Sequence, residues 1–181
     1  MVLICPLVLM RKTQKITATV VIAAITTASS SLIYIPVGFA KIFPVQHFAN
    51  ILSAVLLGPG YAVAQAFISS LLRNLLGTGS IFAFPGSMIG AFLAAYLYAK
   101  TNKLIFALAG EVIGTGILGA LACYPIAVFL LGQASTLFGF IPAFFLSSFA
   151  GAIFGYVLIK VLQKNKGWGR MINHTTSNHK L

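Results

Sequence analysis

The sequence predicts an all-α integral membrane protein: a bundle of six membrane-spanning helices with both termini on the cytoplasmic side. Three observations carry this prediction. The first is composition. The 181 residues are 59% hydrophobic and only 7% charged, with mean hydropathy +1.00, whereas a soluble domain is about a quarter charged. The second is that the apolar runs are long and show no period-two alternation, which excludes a barrel and requires helices. The third is where the cations fall. A net charge of +11 would point to nucleic acid in a soluble chain. Here Arg11, Lys12 and Lys15 precede the first apolar run, Lys100 and Lys103 separate the fourth from the fifth, and Lys160, Lys164, Lys166, Arg170 and Lys180 end the chain. Six spans place all ten on one side, the cytoplasmic side by the positive-inside rule.

Taken in order, residues 1–9 read as an appendage or a mis-assigned start before Met10. Their apolar run is interrupted by Pro6, and its positive charge follows it rather than preceding it as in a secretory signal. Residues 10–164 form the six-helix domain, and residues 165–181 are a basic cytoplasmic tail in which Trp168 suits an interfacial anchor. The first span covers about 16–35 and stops at Pro36 and Gly38. Within it Ala24 and Ala28 lie one helical turn apart, with Ala23 and Thr27 beside them. Such spacing lets another backbone approach closely, either inside the bundle or from a partner. A connector at 34–43 leads to a short span at 44–57. Gly58-Pro59-Gly60 then turns the chain into a third span at 59–76. The fourth covers 82–99; the fifth, 104–131, is long enough to tilt or to bend at Pro125; the sixth covers 137–162. Cys5 and Cys123 sit in apolar context without metal or redox spacing and read as packing residues.

The stretch 41–60 departs from this apolar pattern. It gathers Lys41, Gln46, His47 and Asn50 within ten residues, and unpaired polar groups at membrane depth cost several kcal/mol each. Gln46 and Asn50 share a helical face, with His47 adjacent. Together they offer donors and acceptors for a small heteroaromatic or hydroxylated ligand, or hydrogen bonds between helices. Lys41 and Arg73 are the two cations on the outer side, against the topological bias. Glu111, the only acid in the chain, either pairs with Arg73 or Lys41 or contacts a ligand. Asn74 follows Arg73 at the end of the third span. Tyr34, Phe84 and Tyr124 are candidates for stacking on a ring, as are Phe39 and Phe43, although with fifteen phenylalanines any single one is more often core or lipid-facing. The candidate substrate site is therefore Tyr34, Lys41, Gln46, His47, Asn50, Arg73, Asn74, Phe84, Glu111 and Tyr124. No metal set, catalytic constellation or nucleotide-binding loop emerges, so the chain reads as neither enzyme nor ATPase.

The segments Lys41–Asn50 (KIFPVQHFAN), Ala54–Phe67 (AVLLGPGYAVAQAF), Ser70–Ser80 (SLLRNLLGTGS) and Phe84–Gly90 (FPGSMIG), together with Ala24 and Ala28, resemble the ThiW type of substrate-capture (S) component of energy-coupling factor (ECF) transporters. The resemblance covers about residues 10–164. It implies six helices and a substrate site near the outer face. It also implies docking of the first span, through Ala24 and Ala28, on a transmembrane T component driven by two ABC-type ATPases. On this view no cofactor belongs to this chain, since ATP is used by the partners. The implied substrate is hydroxyethylthiazole, a precursor of thiamin, or its phosphate. The alternative is a stand-alone small-molecule carrier or channel, which would work without ATPase partners and usually shows repeat symmetry.

Overall fold

The computed structural model describes residues 10–32, 35–37, 40–132 and 138–164, and their side chains except at 31–42 and 163. The N-terminal appendage, the tail beyond Lys164, Tyr34 and the side chain of Lys41 lie outside the described residues. Six helices alternate in direction: α1 Lys12–Leu32, α2 Pro44–Leu57, α3 Pro59–Leu75, α4 Ala83–Thr101, α5 Leu104–Leu130 and α6 Ile141–Lys164. Their number and order follow the hydropathy pattern. One expectation is corrected. The first helix stops at Leu32, and the connector contains a two-stranded antiparallel ribbon, β1 Ile35–Val37 and β2 Ala40–Ile42, with Ile35 opposite Ile42. Pro36 excludes helix and pushes the residue before it toward extended backbone, while Ile35, Val37 and Ile42 are β-branched.

α2 is the hub, in contact with α1, α3, α4, α5 and α6. Nine of its residues are buried, among them Gln46, His47, Asn50 and Ser53. Its 14 residues rise only about 21 Å, short of a hydrocarbon core of roughly 30 Å. A helix enclosed by five others can be both short and polar, because its groups are satisfied by protein. Gly58, at φ 91°, closes α2 and starts α3, and Pro59 takes the first helical position, where its missing N–H costs nothing.

α4 and α5 are held together by small residues at backbone distance. A Cβ on Gly110 would lie 2.7 Å from the Ala94 Cα, one on Gly114 2.8 Å from the Gly90 Cα, and one on Gly119 2.6 Å from the Gly86 Cα. On α4 these partners are spaced by four, but on α5 the last step is five. The mismatch is absorbed by a π-helical segment, Gly114–Gly119. Its extra residue turns Leu118 outward and brings Gly119 against Gly86. A second π segment, Ile126–Leu130, follows Pro125 directly. The expected disturbance at that proline therefore takes the form of a wider turn, which accommodates the missing N–H and the ring.

Apart from a core cluster around Ile51, Val55, Leu108 and Ile159, the bundle is packed inside largely with small and polar residues, while many large apolar side chains face out. Ala23, Ala54, Ala66, Ala91, Ala94, Ala107 and Ala120 are fully buried, whereas Val20, Ile25, Phe92, Ile105, Phe149, Ile153 and Val157 are about half exposed. The hydroxyls of Thr19, Thr26 and Thr27 turn inward from α1 and donate to the carbonyls of Lys15, Ile22 and Ala23. By length and composition, Leu104–Leu130 and Ile141–Leu162 qualify as membrane-crossing helices.

Candidate functional site

The alternation of helices brings the starts of α2, α4 and α6 and the end of α3 to one end of the bundle. The lysines at 12, 15, 100, 103, 160 and 164 lie toward the other. At the first end lies a cavity of about 430 Å³, lined by the start of α2 (Phe43, Gln46, His47), Arg73, the 77–80 loop, the start of α4 (Phe82, Ala83, Ser87), Thr115 of α5, and Phe140, Ala143, Phe144 and Ser147 around the start of α6. Its wall thus combines four aromatic rings with a few convergent polar groups, the composition of a small-molecule site.

Two hydrogen-bond networks set the polar wall. In the first, Arg73 donates from Nη1 to Gln46 Oε1 and from Nη2 to the Thr78 carbonyl (3.3 Å), and its guanidinium lies 4.0 Å from the Phe43 ring centroid. Gln46 Nε2 donates to Ser70 Oγ (3.0 Å), and Ser70 and Ser87 share a hydrogen bond of 2.9 Å. The loop that accepts from Arg73 is itself fastened to α3, because the Thr78 and Gly79 amides both donate to the Arg73 carbonyl at 2.9 Å. Gly77, at φ 71°, permits that reversal. In the second network three groups converge on Glu111 Oε1: His47 Nδ1 at 2.9 Å, Asn50 Nδ2 at 2.9 Å and Thr115 Oγ1 at 3.0 Å. Asn50 also reaches the Ser87 carbonyl and Thr115 the Gly86 carbonyl. Glu111 is fully buried. It stands behind the wall, orienting His47 and Thr115, which face the cavity.

The residues singled out from sequence separate into groups. Gln46, His47 and Arg73 line the cavity. Asn50 and Glu111 support it from behind. Of the two partners left open for Glu111, Arg73 is not the one: among the described residues the carboxylate pairs with His47. Asn74 ties the loop to α3, donating to the Ser70 and Ser80 carbonyls. Phe84 packs against Phe67, and neither Phe84 nor Tyr124 is part of the cavity wall. Phe82, Phe140, Phe144, Ser147, Ser87 and Thr115 line it without having been singled out. Two of them carried a signal. Thr115 lies four residues from the only acid, on the same helical face, and Ser147 begins a Ser-Ser pair in an apolar run. Away from the cavity, Ala24 and Ala28 lie on the exposed face of α1 with Thr17, Val20 and Val21, whereas Ala23 and Thr27 face inward. Ala24 and Ala28 are therefore not internal packing residues.

The chain is a six-helix bundle with a central short helix and a cavity at one end. Its architecture matches the solved structure described as "Structure and mechanism of the S component of a bacterial ECF transporter" with a TM-score of 0.71, at 19% identity, covering 84% of this chain and 97% of that one. Residues 16–165 match the family described as thiamine-precursor transporter protein (ThiW). The chain belongs to the ThiW family, and is accordingly a transport protein rather than an enzyme. No curated protein matches it.

Proposed function

We propose that this chain is the substrate-capture subunit of an ATP-driven ECF uptake transporter in the cell membrane, and that it binds the thiamin precursor hydroxyethylthiazole or its phosphate. The observation that carries this reading is the cavity. Its size lies at the small end of the range for ligand pockets. Phe43, Phe82, Phe140 and Phe144 provide faces for a thiazole ring, and Gln46, His47, Ser87 and Ser147 provide hydrogen-bonding groups for its nitrogen and side chain.

The apolar exterior and the largely small and polar interior support a multi-pass membrane setting, where helix association rests on close packing and interhelical hydrogen bonds. The low hydropathy of α1 is consistent with that setting, because its threonines turn inward and bond their own helix. The lysines opposite the cavity support a cytoplasmic position for that end, with the cavity opening outward. Capture then occurs from outside, and the exposed Ala24–Ala28 face of α1 docks on the T component, itself driven by two ABC-type ATPases. Uptake of labelled hydroxyethylthiazole in cells lacking other thiazole transporters tests the division of labour. Accumulation is expected when this chain is expressed with a T component and both ATPases, and not when it is expressed alone. Accumulation by the chain alone would instead establish a stand-alone carrier.

A further inference from the structure

Arg73 is only 2% exposed, yet it lines the cavity. Its described partners are neutral: the Gln46 amide oxygen, the Thr78 carbonyl and the Phe43 ring, with Nε left without a hydrogen-bond partner. A buried charge normally requires a counterion, because desolvation costs several kcal/mol per ion. This chain cannot supply a second side-chain carboxylate. It has one acidic residue in 181, and that residue, Glu111, is held by His47, Asn50 and Thr115. The cavity wall itself contains no acid.

The backbone adds to the same field. Residues of the first turns of α2, α4 and α6 border the cavity, so three helix N-termini converge on it. Neither α2 nor α4 has a side-chain cap among the described residues. Most first amides of the three helices are engaged or absent, since Gln46, Ala83, Phe84 and Ile141 donate to the Phe43, Ser80, Ile81 and Phe138 carbonyls and Pro44, Pro85 and Pro142 carry no N–H. What these starts add is the partial positive charge of the helix dipole, which favours anions.

We propose that the cavity selects ligands bearing an oxyanion, a phosphate monoester or a carboxylate, and that Arg73 is the counter-charge that recognises it. For the thiazole nature of the ring this rests on the functional reading above; for the anion it rests on the charge count. Phosphorylated hydroxyethylthiazole is then preferred to the free alcohol, and cationic thiamin is disfavoured. The guanidinium, held by Gln46, Thr78 and Phe43, is already oriented before ligand arrives, and its fork suits two oxygens of one anion.

Titration calorimetry on the purified full-length protein tests this with four probes: hydroxyethylthiazole, its monophosphate, 4-methylthiazole-5-acetate and phenyl phosphate. The monophosphate is expected to bind at least about tenfold more tightly than the alcohol, the scale of one charge-assisted hydrogen bond. Arg73→Gln should collapse that ratio to near unity whatever its effect on absolute affinity, and Arg73→Lys should leave an intermediate ratio. If Arg73→Gln does not fold, the wild-type ratio and Arg73→Lys decide. Binding of the acetate as well as the phosphate supports recognition of any oxyanion; binding of the phosphate alone narrows it to phosphate esters. Phenyl phosphate binding that depends on Arg73, with no thiazole bound, upholds anion selection and removes the thiazole reading. An alcohol that binds as tightly as its phosphate overturns the proposal and leaves the thiazole reading standing, and silence with all four probes overturns both.

Discussion

Replacing Glu111 with alanine is expected to destabilise the protein by roughly 3–5 kcal/mol, because three buried groups lose their shared partner and each unsatisfied buried polar group costs about 1–3 kcal/mol. The carboxylate is the shared acceptor for His47, Asn50 and Thr115, which come from α2 and α5 and are all buried. Removing it leaves three donors facing one another in a site that admits no replacement side chain from α4. Gly90 sits against it so closely that an added Cβ would lie 1.9 Å from Thr115 Oγ1 and 2.9 Å from Glu111 Oε2. Thermal unfolding in detergent should show a midpoint lowered by on the order of 10 °C. Glu111→Gln, which keeps an acceptor oxygen at the same reach, should lose much less. His47 would also lose its orientation, so ligand affinity in any folded Glu111→Ala protein should fall. A midpoint for Glu111→Ala equal to wild type would show that this network does not hold α2 to α5.

The second large effect concerns assembly rather than folding. Ala24→Trp or Ala28→Trp is expected to abolish co-purification with the T component and ATPases while ligand binding stays within about twofold of wild type. The geometry gives the reason. Both alanines lie on the outward face of α1, away from the cavity, so indoles there meet no part of the bundle. A partner helix that requires backbone approach would be held off by them. Substitution of the inward-facing Ala23, which is 0% exposed, provides the contrast: Ala23→Trp should disturb the bundle itself. Loss of ligand binding in Ala24→Trp together with loss of assembly would count against a purely external role for this face.

These two cases also show how far the chain could be read before its structure. Helix order was legible because hydropathy and cation placement act over whole segments. The polar stretch of α2 was legible because Gln46, His47 and Asn50 are costly in an apolar environment and so must be enclosed. What could not be read was the rotation of each helix about its axis. That rotation decides that Ala24 faces out while Ala23 faces in, and that Phe144 reaches the cavity while Phe84 turns to Phe67. Nearly uniform apolar composition leaves no polar face from which to take it, and on α4 the stripe of small residues Gly86, Gly90 and Ala94 marks the packed side only once its partner helix is known. The partner of Glu111 depended on the same rotations, combined with the π segment that shifts α5 by one residue. The side of α6 facing the cavity is separated in sequence from α2 by about a hundred residues, yet Ser147 Oγ accepts from the Phe43 amide at 3.1 Å. Such a contact has no local signature.

We propose above all that the cavity at the end of the bundle opposite the lysines captures a thiamin precursor. This proposal is tested most directly by titrating the purified wild-type protein and Ala143→Trp, which places an indole in the cavity wall, with hydroxyethylthiazole, its phosphate, thiamin and the aminopyrimidine precursor. The account predicts saturable one-to-one binding of a thiazole ligand to wild type, lost in Ala143→Trp, with thiamin and the aminopyrimidine weaker. Absence of binding by every ligand, or thiazole binding unchanged in Ala143→Trp, would contradict it.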